Sequence, residues 1–249
     1  MGPNSDPRGY IESWIQGLIV DNDDAQSWVL PVIARIEIDR TAAPLTVWIG
    51  GYCDFHILSR LKMDRVPFEG QLFDPTGKFK AAKWSTDPHY RGSGVWGSEN
   101  DNYEMMWIER LFIKRQFRNR CFGRHLTREL TSTISDLVPK NDDDPYLFVV
   151  TYPDCLEIEL QEELRLQNPP GNQAQIRERG RAAASRFYRS LGFRRVGSSG
   201  FFAWTSNPNH PSKALDAAHD YDPPADDYHP SGRPRTLFSA GVASAWLSS

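Results

Sequence analysis

RQFRNRCFGRHL, residues Arg115–Leu126, sets arginines around one glycine and then runs into an apolar rhythm. Lys114, Arg115, Arg118, Arg120, Arg124 and Arg128 fall in this neighbourhood, with no Asp or Glu among them. Downstream, Phe122, Leu126, Leu130, Ile134 and Leu137 step by four, four, four and three, a helical stripe that Pro139 stops. Asn119 is the expected N-cap. Upstream, YEMMWIERLFI (Tyr103–Ile113) is apolar at both parities, the mark of a strand in the middle of a sheet covered on both sides. The order is central strand, short basic loop, helix N-terminus. Such a terminus exposes unpaired N–H groups and a partial positive charge, and normally attracts acidic side chains. The cations gathered there are either a solvated basic helix face or the seat of a polyanion, and a pyrophosphate suits both amides and guanidiniums.

The rest of the chain reads as α/β. Ile11–Val20 and Trp28–Ile38 are apolar segments, the second strand-like in its ARIEID alternation. Leu45–Tyr52 is another strand, and Phe55–Met63 is expected as a short helix. QLF and KFKA flank the turn Asp74-Pro75-Thr76-Gly77, a hairpin signal. Residues 85–102 are a loop by composition. PYLFVVTY (Pro145–Tyr152) is a short apolar strand, Cys155–Asn168 a helix, and Gln175–Leu191 a second strong helix striped by Ile176, Ala183, Phe187 and Leu191. Gly192 is placed in the left-handed cap position, with Phe193 folding back on the last turn. FRRVG and FFAWT close as a pair of strands. Beyond Ser206, Pro, Asp and His dominate. The expected organisation is a lead over 1–9, one domain over 10–206 and an extended tail over 207–249.

Bulk properties narrow the function classes. In 249 residues, 39% are hydrophobic and 8 are Trp, enough for a sizeable core. A net charge of −3 disfavours nucleic acid and acidic membranes as partners. No apolar run reaches the roughly 18–20 residues that cross a bilayer. MGPNSDPRGY lacks the apolar segment of a secretory signal. Cys53, Cys121 and Cys155 are odd in number and show no C-x-x-C spacing, which suits reduced thiols in a cytoplasmic protein.

A resemblance favours the anion seat. Arg118-Asn119-Arg120-Cys121-Phe122-Gly123 resembles the acyl-CoA signature [Q/R]-x-x-G-x-[G/A] of the GNAT acyltransferase superfamily. The preceding Leu111-Phe112-Ile113 is similar to that superfamily's L-x-V strand, and FYRSLGF (Phe187–Phe193) to its FY-x-x-x-GF segment. NPNHPS (Asn207–Ser212) and GVWG (Gly94–Gly97) are similar to segments of fungal members. The resemblance covers residues 70–204 and implies a mixed central sheet flanked by helices on both faces. It implies acetyl-CoA or a related acyl-CoA as co-substrate. The partner it implies is an amine acceptor, on a small molecule or a protein. Arg118, Asn119, Arg120, Cys121, Phe122, Gly123 and Arg124 would hold the pyrophosphate, and strand amides of Leu111, Phe112 and Ile113 would meet the thioester.

Acyl transfer to an amine needs a base, because an alkylammonium of pKa about 10.4 is mostly protonated at neutrality. Glu109, counted on the parity of Trp107 and Leu111, stands where the superfamily commonly places one. Tyr188 matches its thiolate-protonating Tyr. Glu109 paired to Arg110 or Arg194, and Tyr188 as a packing residue, are the structural alternatives. Glu104 and His89 are weaker bases from the loop side. Cys121 departs from the signature, whose Gly lets the backbone approach the phosphates. Either the loop sits differently, or CoA binding is weakened or lost. In the second case the chain is a catalytically inactive GNAT-fold binding or scaffolding module. A thiol at that helix end is also a candidate for oxidation, including a mixed disulfide with CoA. There is no G-x-S-x-G and no P-loop, and His210, His219 and His229 lack tight metal-ligand spacing.

Overall fold

The computed structural model describes residues 11–17, 29–39, 47–58, 87–97, 105–137, 146–166 and 172–222. Within them, seven strands form one mixed sheet. They are β1 (Ile11–Gly17), β2 (Val29–Asp39), β3 (Val47–Leu58), β4 (Met105–Ile113), β5 (Phe148–Thr151), β6 (Arg194–Arg195) and β7 (Phe202–Thr205). Their order is β1-β2-β3-β4-β5-β7-β6. Only the β4–β5 pair is parallel. Three helices complete it: α1 (Phe122–Leu137), α2 (Glu157–Leu166) and α3 (Gln173–Ser190). The helix expected over Phe55–Met63 is replaced at its start by β3, which continues to Leu58. The register explains this, since Phe55 pairs with Ile108 and is fully buried in the sheet. The hairpin around Asp74, Glu104, the 1–9 lead and residues beyond Asp222 lie outside the described residues.

The periodicity of α1 is cashed in packing. Leu126, Leu130 and Ile134 are each 1% exposed and meet Cys53, Phe55, Met106, Ile108 and Val149 in the main core. A wholly buried aliphatic side chain contributes roughly 1.5–3 kcal/mol, so this stripe rather than helix propensity holds α1 on the sheet. Among the described residues the other face is met by a loop. Trp96 sits edge-on to Phe148 at 5.5 Å and stacks on His210 at 4.6 Å. This Trp96 loop joins the GVWG and NPNHPS segments.

Gly192 has a φ of 92°. Its N–H reaches Arg189 O at 3.0 Å and that of Phe193 reaches Tyr188 O at 3.1 Å, the paired bonds of a Schellman cap. The accompanying apolar contact is the Tyr188–Phe193 ring pair at 5.2 Å. The end of α3 is therefore what fixes Tyr188 in space.

Residues 207–222, read from composition as tail, form a strap across the end of α3 and β6. Arg194 donates to Leu215 O at 2.8 and 2.6 Å. Asp220, its side chain fully buried, receives Arg189 Nε at 2.9 Å and the Arg195 N–H at 3.1 Å. The signal was the spacing of Asp216, Asp220 and Asp222 against Arg189, Arg194 and Arg195, which composition alone hides. Removing one partner of a buried pair costs about 3–5 kcal/mol. A chain ending at Ser206 should therefore melt about 6–20 °C below one ending at Asp222. Equal melting temperatures by circular dichroism would show the strap to be dispensable.

Candidate active site

The site begins with two breaks in β4. Along β3 the register slips, so that Asp54 faces Arg110, Phe55 faces Ile108, and Glu109 is the extra residue of a β-bulge. The bulge resets the alternation. Met106 and Ile108 lie in the α1-side core, and Leu111 and Ile113, not Arg110 and Phe112, pack against it next. Counting by twos puts Leu111 with Trp107; across the bulge it joins Met106 and Ile108 instead. Along β5 the parallel ladder ends where Ile108 meets Thr151. There the Thr151 hydroxyl donates to Ile108 O at 3.2 Å. From Arg110 to Ile113, then, β3 is the strand that pairs with β4 among the described residues, and the other edge opens on a cleft.

That cleft, about 1170 Å³, brings together most of the residues singled out above. Glu109, Leu111, Ile113, Arg118, Asn119, Cys121, Phe122, Gly123, Arg124 and Tyr188 all line it. Phe112 and Arg120 do not. Phe112 is 2% exposed and pairs its ring with Tyr52 at 5.5 Å, because the bulge turns it to the opposite face. Arg120 is exposed. His89 stands in an exposed turn, its N–H on Asp87 at 2.9 Å, away from the lining. The far wall is made by Thr151, Tyr152, Asp154, Cys155, Glu159 and Gly180, none of them marked by a motif in the sequence. Its signal was the acidic run of LEIELQEELRL, opposite in sign to the arginine loop.

At the anion end, His125 N–H bonds Cys121 O at 2.9 Å, so Cys121 and not Asn119 is the N-cap. Asn119 and Cys121 have φ of 59° and 64°, with Arg120 between them outside the positive range. Such alternation turns successive N–H groups to one side, as in an anion-binding nest. The amides of Asn119 to Arg124 have no acceptor among the described residues. The backbone thus takes at Cys121 the conformation that glycine takes freely, with a Cβ added at a cost of roughly 1–2 kcal/mol. Gly123 is needed for a different reason: a Cβ there would meet the Phe187 ring at 3.2 Å.

The arginines are less available than their number suggests. Arg118 Nε donates to Ile113 O at 2.9 Å, and its Nη2 lies 3.0 Å from Glu159. Arg115 Nη1 is 3.0 Å from Glu163. Burial pushes the Glu159 carboxyl upward, and Arg118 pulls it partly back. Among the described residues Arg124 has one long contact, of 3.5 Å to Ser190.

At the other end, Tyr188 is 5% exposed, and burial pushes its phenol well above the usual tyrosine range. It therefore keeps its proton throughout the neutral range. Arg194, one partner considered for Glu109, is committed to the carbonyls of Leu215, Arg189 and Phe193. Cys155 lines the cleft as a neutral thiol, raised to about 11 by burial and then by Glu159 and Asp154. Among the described residues no cluster of His, Cys, Asp and Glu could hold a metal ion. His210 sets its Nδ1 2.8 Å from Ser212 Oγ.

No protein-family model, no curated protein and no solved structure matches this chain. No helix among the described residues is long and apolar enough to cross a membrane.

Cys121 is exposed, whereas Cys53 and Cys155 are buried. Ellman's reagent should accordingly titrate one thiol rapidly in the folded protein and the other two only on unfolding. Cys121→Gly should remove the rapid thiol and raise stability by about 1 kcal/mol, since glycine adopts positive φ without strain. A destabilised Cys121→Gly protein would show that the thiol's packing outweighs the backbone strain.

Proposed function

We propose that the cleft binds an acyl-CoA and transfers its acyl group to an amine, in a GNAT-like arrangement. The observation that carries this reading is the opened edge of β4. Main-chain groups of Glu109 to Ile113 face a cleft that has unpaired amides of Asn119 to Arg124 at one end and Glu109 and Tyr188 in its walls. A strand edge suits the amide groups of a pantetheine arm, and a helix-end nest suits a pyrophosphate.

In the reaction, the amine nitrogen attacks the thioester carbonyl and the Glu109 carboxylate takes the proton it sheds, directly or through water. N–H groups at the free edge of β4 stabilise the oxyanion. The C–S bond then breaks, and Tyr188 gives its proton to the departing sulfur. Because its phenol is held protonated by burial, Tyr188 contributes no alkaline limb to the rate profile below about pH 10. The acceptor is an amine whose class this reading leaves open.

A second reading, a catalytically inactive GNAT-fold binding or scaffolding module, is favoured by one observation, the Cβ of Cys121 at the nest. The two separate in one assay. Acetyl-CoA is offered with spermidine, tyramine, glucosamine and a lysine peptide, and free thiol is followed. Turnover that falls about 10²–10⁴-fold in Tyr188→Phe, with melting temperature preserved, is the expected result. Stabilisation by acetyl-CoA without turnover of any amine would favour the binding module. At about 100 times its dissociation constant a ligand adds roughly 2.7 kcal/mol, a rise of about 5–10 °C here. No rise at millimolar acetyl-CoA would overturn the acyltransferase reading and leave the inactive module.

A further inference from the structure

The two walls of the cleft are tied across it by charge. From the β4–α1 loop come Arg115 and Arg118 and from α2 come Glu159, Glu162 and Glu163, of which Arg118, Glu159 and Glu163 line the cleft and the other two stand beside it. Arg118 Nη2 lies 3.0 Å from Glu159 and 3.8 Å from Glu162, and Arg115 Nη1 lies 3.0 Å from Glu163. At its other end α2 is fixed to α3, through Glu157–Arg177 at 2.6 Å and through a small core of Cys155, Leu160 and Ile176. Gly180 allows that core to close, since a Cβ there would meet Cys155 Sγ at 2.7 Å. The acidic helix is therefore held rigidly on the far wall while its carboxylates reach the arginines of the near one.

Resting on the acyl-CoA reading, we propose that Glu159 and Glu163 occupy the guanidinium positions that the ligand's pyrophosphate takes, and so set the affinity of the cleft. The chemistry of the exchange is simple. A carboxylate and a phosphate can each present two acceptor oxygens to a guanidinium fork, and a pyrophosphate carries more negative charge than one carboxylate. The Arg115–Glu163 pair is open to water, with side chains 55% and 36% exposed, whereas the Arg118–Glu159 side chains are 30% and 24% exposed and Arg118 Nη2 itself is buried. A pair as wet as Arg115–Glu163 contributes little. Exchange is thus favourable for a ligand with two phosphates and unfavourable for a small single anion. Arg118 stays anchored by its Nε on Ile113 O, so its guanidinium swings between carboxylate and phosphate without leaving the loop.

The test compares CoA dissociation constants, by calorimetry, for the wild type, Glu159→Gln with Glu163→Gln, and the same pair combined with Arg118→Met. The amides keep the shape of the carboxylates and lose their charge. The double variant should bind CoA about 3–10-fold more tightly, each pair contributing at most about a kcal/mol, and Arg118→Met should abolish most of that gain. Unchanged or weaker binding overturns the inference. So does a gain that survives Arg118→Met, which would be a general field effect. Should the double variant fail to fold by circular dichroism, the exposed Glu163→Gln alone carries the comparison, with Arg115→Met as its partner. CoA binding by the wild type without any effect of the glutamines sinks only this inference. Absence of CoA binding in every protein sinks the acyl-CoA reading with it. Binding by the double variant alone supports both.

Discussion

The parallel ladder between β4 and β5 stops after four residue pairs, and everything distinctive in the molecule depends on where it stops. A central strand buried on both faces would ordinarily be hydrogen-bonded along both edges, because an unpaired buried N–H or C=O is costly. Here β4 runs five residues beyond Ile108 with one edge open. The Thr151 hydroxyl caps the last paired carbonyl, and the Glu109 bulge twists the strand at the same level. The two walls diverge from that point, which leaves a large cleft beside the core.

What holds the divergence open is visible on each side. On the near wall α1 is pinned by three buried aliphatic residues, and its first turn is drawn close to α3 by Gly123 against Phe187. On the far wall α2 and α3 share a small core of their own. Tyr188 sits between, at the Schellman end of α3, and the strap from Asn207 to Asp222 covers that end. The strap's buried Asp220 thus supports the placement of Tyr188 through Arg189, its chain neighbour.

Much of this was legible in the residues. The stripe of Phe122, Leu126, Leu130 and Ile134 locates α1, and the apolar run around Met106 locates the central strand. Gly192 followed by Phe193 announces the cap. Those features are local, and local periodicity expresses them directly. Other features depend on partners distant in sequence. The bulge at Glu109 exists only in the register with β3, so alternation predicted the wrong face for Leu111 and Phe112. Arg118 and Arg115 read as free cations because their carboxylates lie some 45 residues away on α2. The tail looked solvated because Asp220 is buried only by arginines of another segment. Cys121 is the intermediate case. The sequence marks it as a departure from glycine, and only the backbone shows that it keeps the glycine conformation, with φ at 64°.

The account makes the free edge of β4 and the nest before α1 two parts of one elongated seat. The most direct measurement is a titration of ¹⁵N-labelled protein with CoA, followed by the amide resonances. The account predicts saturable shifts in two groups together, Glu109 to Ile113 and Asn119 to Arg124, with the strands β1 and β2 unmoved. Shifts confined to other surfaces, or none in either group at millimolar CoA, would contradict it.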